Sequence, residues 1–187
     1  MGEMIPPSPL SNFPLLGHWV KLSEKNNLIF FSGRVELGQG NTTALVMMIA
    51  DELDVLPSSI HLETARTDLT PNEGITAGSM SITIGGVALR WVASALKHQI
   101  LEIASKQLKT QPSNLYVQSG CIYQKGKKTE LYLSDTFYKI DFNRKIIDDV
   151  HLKSFEERQK SFPNINRIEY EHLKQEIEIV TNYYELL

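Results

Sequence analysis

Cysteine is nearly missing from this chain: Cys121 is the single one in 187 residues. That excludes an internal disulfide framework, iron–sulfur ligation by four thiolates and a cysteine-rich zinc site. The five histidines, His18, His61, His98, His151 and His172, lie far apart, without the short spacing of a ligand cluster, so packed or surface positions are expected for them. No apolar run reaches the roughly 18 to 20 residues of a membrane span. The start, Met1-Gly2-Glu3-Met4-Ile5-Pro6-Pro7, lacks the basic region and apolar core of a signal peptide, so a cytoplasmic location is expected. A net charge of −3 leaves no basic footprint for nucleic acid, and Lys125, Lys127 and Lys128 are expected to form a solvated turn.

What is present is an ordinary globular composition, with 42% hydrophobic and 22% charged residues. A chain of this length buries about two-thirds of its unfolded surface and needs no covalent staple. Residues 1–17 carry four of the eight prolines and read as an extended lead-in. Trp19 to Val35 holds two apolar patches around Asn26-Asn27, which predicts a β-hairpin. Leu45, Met48, Ile49 and Leu53 predict a helix of roughly three to four turns, stopped by Pro57. Ile60 to Thr64 alternates like a half-buried strand, and a loop from Arg66 to Gly78 follows. A long helix is predicted from about Ser81 to Lys109, with Gly85-Gly86 implying that something passes close to its backbone. Gln118-Ser119-Gly120 predicts a second hairpin, Thr129 to Tyr138 a short helix, and Ile168 to Leu187 a last amphipathic helix. Trp19 and Trp91 are expected in the core, with Cys121 packed in a strand. The fold class expected is α+β, two helices on a small mixed sheet.

Two segments carry chemistry. Val35-Glu36-Leu37-Gly38-Gln39-Gly40 joins a strand to a helix, where unpaired N–H groups can receive anionic oxygens and glycine lets a ligand approach the backbone. Thr76-Ala77-Gly78-Ser79-Met80-Ser81 repeats that logic before the second helix, with hydroxyls added. The same glycines would also serve a plain tight turn, and Ser79 or Ser81 a plain N-cap. Neither segment is a P-loop or a dinucleotide fingerprint, and Ser79 lacks the elbow of a hydrolase nucleophile. Glu36 and Glu73, beside glycine turns, are expected to be solvated.

These segments in order, with Thr43-Ala44, Ala50-Asp51-Glu52-Leu53-Asp54-Val55, Thr64-Ala65-Arg66-Thr67 and Pro71-Asn72-Glu73-Gly74, resemble the xanthine dehydrogenase and aldehyde oxidase family. The match is best to the large subunits of the nicotinate dehydrogenase and isoquinoline 1-oxidoreductase type, over about residues 10 to 155. The resemblance implies a molybdenum–molybdopterin cytosine dinucleotide cofactor. Leu37, Gly38, Gln39 and Gly40 would touch its pterin, while Thr76, Gly78, Ser79, Met80 and Ser81 would hold the phosphate-bearing part. The metal would be held by the cofactor's own dithiolene, with no protein ligand. The implied reaction is hydroxylation of N-heterocycles or aldehydes with water-derived oxygen.

The family's catalytic glutamate belongs to a segment that this chain does not match, so no catalytic residue is assigned. The expected division is a lead-in over 1–17, a molybdopterin-binding-like domain over 18–139 and a divergent or truncated extension over 140–187. Such a piece is expected to be inactive alone. It would need the remainder of the large subunit and a [2Fe–2S] small subunit, and is expected to self-associate through uncovered apolar surface. An excised piece, a second completing chain and a repurposed remnant are possible origins, with a split or damaged gene favoured by the compositional shift. The alternative function is a stand-alone binding or assembly protein that kept the fold without catalysis.

Overall fold

A computed structural model describes residues 6–154 and Glu157. By its contacts the chain divides after Lys153, and the fold described is that of the part before it. Within the proline-rich lead-in, Ser8–Asn12 closes a short helix, α1, and both Leu10 and Leu16 are buried.

β1 (Val20–Leu22) and β2 (Leu28–Ser32) form the expected hairpin, antiparallel with Val20 opposite Phe30. Asn26 turns the corner at φ 58°, a left-handed conformation that asparagine tolerates. β3 (His61–Thr64) pairs parallel to β2, so the first sheet is mixed, in the order β1-β2-β3. A parallel pair needs a crossover, and α2 (Asn41–Leu53) supplies it, burying Leu45, Ile49 and Leu53 on one face. α3 (Val87–Leu108) lies against α2 and buries Leu89, Trp91, Val92, Leu96 and Ile100.

The long helix begins as expected near Ser81, but its entry, Ser81–Gly86, is a π-helical turn. The glycines have the reason anticipated for them. A Cβ on Gly85 would stand 2.7 Å from Glu73 Oε1 and 3.0 Å from Arg34 Nε, and one on Gly86 would stand 2.6 Å from Met48 Sδ.

β4 (Leu115–Gln118), β5 (Cys121–Gln124) and β6 (Lys127–Tyr132) make a second, antiparallel sheet. Ser119 and Gly120 both have positive φ, 49° and 75°, as a two-residue primed hairpin turn demands. The strands are thus shared between two sheets within the α+β class. The short helix expected over Thr129–Tyr138 is not formed: Thr129 to Tyr132 belong to β6, followed by tight turns at Leu133–Asp135 and Phe137–Lys139. Lys128 to Tyr132 alternate in exposure, a period of two that suits pairing with β5.

The core gathers Trp19, Phe30, Leu45, Ile49, Leu96, Ile100 and Ile122, with Trp91 beside them and Cys121 buried at the start of β5. Past residue 140 the sequence turns polar, yet Ile140, Ile146 and Val150 remain buried. Arg144 straps this stretch to α3 through Glu102, at 2.7 Å, and also meets buried Asp149 at 2.7 Å. The helix expected over Ile168–Leu187 lies outside the described residues.

Candidate functional site

β2 and β3 run side by side and end together, Ser32 opposite Thr64. Loops leaving the C-terminal ends of parallel strands are where open sheets with helical crossovers place ligands. From β2 the chain runs through Gly33 to Gly40 into α2; from β3 it runs through a longer loop to the π-turn before α3.

A buried ion pair ties these loops together. Arg34 is 1% exposed and Glu73 9%, with Nε and Oε1 3.6 Å apart. Glu73 Oε2 accepts hydrogen bonds from the Ser32 hydroxyl and the Gly33 amide, each at 2.6 Å. Arg34 Nη1 donates to the Ile75 carbonyl at 2.6 Å, and the Val35 amide donates to Thr76 Oγ1 at 3.0 Å. Asn41 completes the join: its Nδ2 donates to the Val35 carbonyl at 2.9 Å and to Ser81 Oγ at 3.3 Å. The expectation of a solvated Glu73 is therefore overturned, because Gly85 leaves room for its carboxylate beneath the helix entry.

Between the loops lies a cleft of about 360 Å³, lined by Gln39, Gly40, Asn41 and Ala44 on one side and Thr76, Ala77, Gly78, Ser79, Ser81 and Ile82 on the other. Of the residues singled out from sequence, Gln39, Gly40, Thr76, Gly78, Ser79 and Ser81 are brought together here. Leu37, Gly38 and Met80 belong to the same loops without lining the cleft, and Leu37 is 76% exposed. No titratable side chain is among the lining residues, which present a ligand with backbone amides, hydroxyls and the side-chain amides of Gln39 and Asn41.

The two loops differ in what they leave available. In the first, the carboxylate of Glu36 accepts the amides of Gly38, Gly40 and Thr42 at 2.8, 2.9 and 3.0 Å. These bonds, Thr42 and Gly40 foremost, hold the Glu36 pKa below its ordinary value although the residue is exposed. Gln39 is folded back onto its own loop, with Nε2 on the Val35 carbonyl and Oε1 receiving the Leu37 amide. In the second loop, Gly78 and Ser79 both take positive φ, 57° and 59°. Their amides donate to no acceptor among the described residues.

Arg34 and Asn41 are residues that the reading of motifs missed, and Glu73 is one to which it assigned the wrong environment. Gly85-Gly86 was the usable signal, since paired glycines in a helix entry announce a close neighbour without naming it. Among the described residues no group of three or more His, Cys, Asp or Glu side chains could hold a metal ion.

A family model described as the molybdopterin cofactor-binding domain matches residues 4–162. The chain belongs to that family. It is 28% identical over 142 residues to a nicotinate dehydrogenase subunit of Pseudomonas putida, covering 76% of this chain and 12% of that one. To human aldehyde oxidase it is 31% identical over 77 residues, covering 41% of this chain and 6% of the relative. The reconstituted CO dehydrogenase of Oligotropha carboxidovorans superposes with a TM-score of 0.55 at 25% identity, over 62% of this chain and 15% of that one. The chain thus spans about an eighth or less of the length of these curated relatives.

Proposed function

We propose that this chain is the cofactor-binding part of a molybdenum hydroxylase and that the cleft between the two loops receives molybdopterin in its cytosine dinucleotide form. Thr76, Gly78, Ser79, Met80 and Ser81 are assigned to the phosphate-bearing portion, and Leu37, Gly38, Gln39 and Gly40 to the pterin. The observation that carries this reading is the cleft itself, in which both loops face one concavity. The residues fit the group. Gly38, Gly40 and Gly78 have positive φ and no heavy atom within 4 Å of where a Cβ would sit, so a flat ligand can approach bare backbone at each of them. The amides of Gly78 and Ser79 are available to phosphate oxygens, with the hydroxyls of Thr76, Ser79 and Ser81 around them.

When bound, the cofactor supplies the metal centre at which an N-heterocycle or an aldehyde is hydroxylated with oxygen from water. This chain's own share is to bind and orient. The cleft lining provides no proton-transferring group, so the base must come from another part of the enzyme. Val35, Leu37, Ile75 and Ile82 are exposed apolar residues on these same loops, which supports coverage by the remainder of a large subunit. A [2Fe–2S] subunit would then carry the electrons away, and a cytoplasmic location would suit such a complex.

Metal and pterin analysis of the protein purified from its native host tests the proposal. Molybdenum with a cytosine dinucleotide is expected, and Gly78→Val, which forces a β-branched residue into a left-handed conformation, should lower its amount. A molybdenum-free protein would favour the alternative, a stand-alone binding or assembly protein.

A further inference from the structure

We infer that the outer face of the second sheet is a docking surface for an acidic protein partner, with three tyrosines at its centre and three lysines around them. None of its residues lines the cleft, so it does not rest on the cofactor reading.

The three strands bury one face and show the other. Leu115, Val117 and Ile122 belong to the core, whereas Tyr116 and Tyr132 are 41% and 49% exposed. Tyr116 lies opposite Tyr123, and Tyr123 opposite Lys128, so one row crosses the whole sheet. The Tyr116 and Tyr123 rings stack with centroids 5.3 Å apart, and Lys128 Nζ stands 5.3 Å from the centre of the Tyr132 ring. Side chains already held by neighbours lose little freedom on binding, and interfaces favour tyrosine at the centre with charge at the rim. Cross-strand pairing by itself accounts for the tyrosine stack. It does not account for the charge. Lys125, Lys127 and Lys128 crowd one hairpin, where Glu130 is the only carboxylate between Cys121 and Tyr132, in a chain of net charge −3. None of the three is in an ion pair among the described residues. Ring edges carry partial positive charge, and ammonium groups only donate hydrogen bonds. Such a face matches a surface that presents carboxylates, and its rim lysines steer that surface into contact.

Two other occupants fit less well. A strand adding to the edge of β6 would find the Leu131 and Tyr132 amides already bonded to Thr129 Oγ1 and Asp135 Oδ2, at 3.2 and 2.8 Å. Single-stranded nucleic acid stacks its bases on open ring faces along a basic groove. Here each of the three rings has one face covered, and the chain is acidic overall.

A short synthetic peptide of glutamates with interspersed tyrosines is the probe, and oligothymidylate is the nucleic-acid comparison. Backbone amide NMR of the full chain should show saturable shifts at Tyr116, Tyr123, Lys128 and Tyr132 with the peptide, and none there with oligothymidylate. Lys127→Glu and Lys128→Glu together should slow the peptide's association about tenfold at low salt, read by surface plasmon resonance. Lys106→Glu, on α3, should leave that rate unchanged, and Tyr132→Ser should speed dissociation. All four positions are exposed, so melting temperatures near wild type are expected and binding is read on folded protein. Shifts that do not saturate or that fall elsewhere on the chain overturn the inference. So do an equal effect of Lys106→Glu and tighter binding of oligothymidylate. A chain free of molybdopterin would sink the cofactor reading and leave these results as they are.

Discussion

At the scale of single residues, Glu73 has the largest effect on the site. Its carboxylate is buried against Arg34 and also accepts from Ser32 and Gly33, so it joins both loops through one side chain. Removing one partner of a buried pair strands the other charge, which costs about 3–5 kcal/mol. Glu73→Ala should therefore lower stability by an amount in that range, read by urea denaturation. A loss below roughly 1 kcal/mol, as for an exposed pair, would show that Arg34 finds another acceptor. Glu36, by contrast, is exposed, and its bonds to the Gly38, Gly40 and Thr42 amides stay within one loop.

At the scale of elements, the entry of α3 is where helix propensity gives way to packing. Gly85 and Gly86 each forgo about 1 kcal/mol of helix propensity relative to alanine. A methyl group on Gly85 would strike the Arg34–Glu73 pair, both of whose side chains are buried. A methyl on Gly86 would strike the thioether of Met48, the far end of a flexible side chain that can swing away. Gly85→Ala is thus expected to destabilise by about 1–3 kcal/mol, while Gly86→Ala should come out near neutral. Thermal melts of the two variants side by side decide it; equal losses would mean that Met48 cannot move. The π-turn lies where α2, Arg34 and Glu73 pack against the helix entry.

At the scale of the whole molecule, the polar stretch after residue 140 is fastened to α3 through Arg144, whose two carboxylate partners, Glu102 on α3 and Asp149 within the stretch, respond to pH in opposite directions. The Glu102 pKa is lowered from 4.5, chiefly by its hydrogen bond to Arg144, so its contribution is present above that value and lost as pH falls through the folded one. The Asp149 pKa is raised from 3.8, chiefly by burial, so its charged form carries a penalty at neutral pH that vanishes on acidification. Glu102→Gln should melt below wild type at neutral pH and converge with it as the carboxylates protonate. Asp149→Asn should melt no lower than wild type at neutral pH. A large neutral-pH loss for Asp149→Asn would mean that the Arg144 contact outweighs burial. Among the described residues no helix is long and apolar enough to cross a membrane. The exposed Leu37 and Ile75 mark the loops that a larger assembly would cover.

Periodicity and turn chemistry by themselves determined the hairpins, α2, the strand after it, the long helix and the burial of both tryptophans, because these depend on neighbours a few residues apart. The order of the glycine-bearing segments determined the family, since such a run of motifs does not recur by chance. Tertiary structure alone decided the rest. It moved Thr129–Tyr132 from an expected helix into a strand, because β5 offered an edge to pair with. It turned Glu73 from a solvated loop residue into a buried clamp, because Arg34 and Gly85 meet it from segments distant in the chain. And it showed that Glu36 fills one helix entrance while Gly78 and Ser79 stay open. A hydrogen bond depends on where the loop closes, and the order of residues does not specify that.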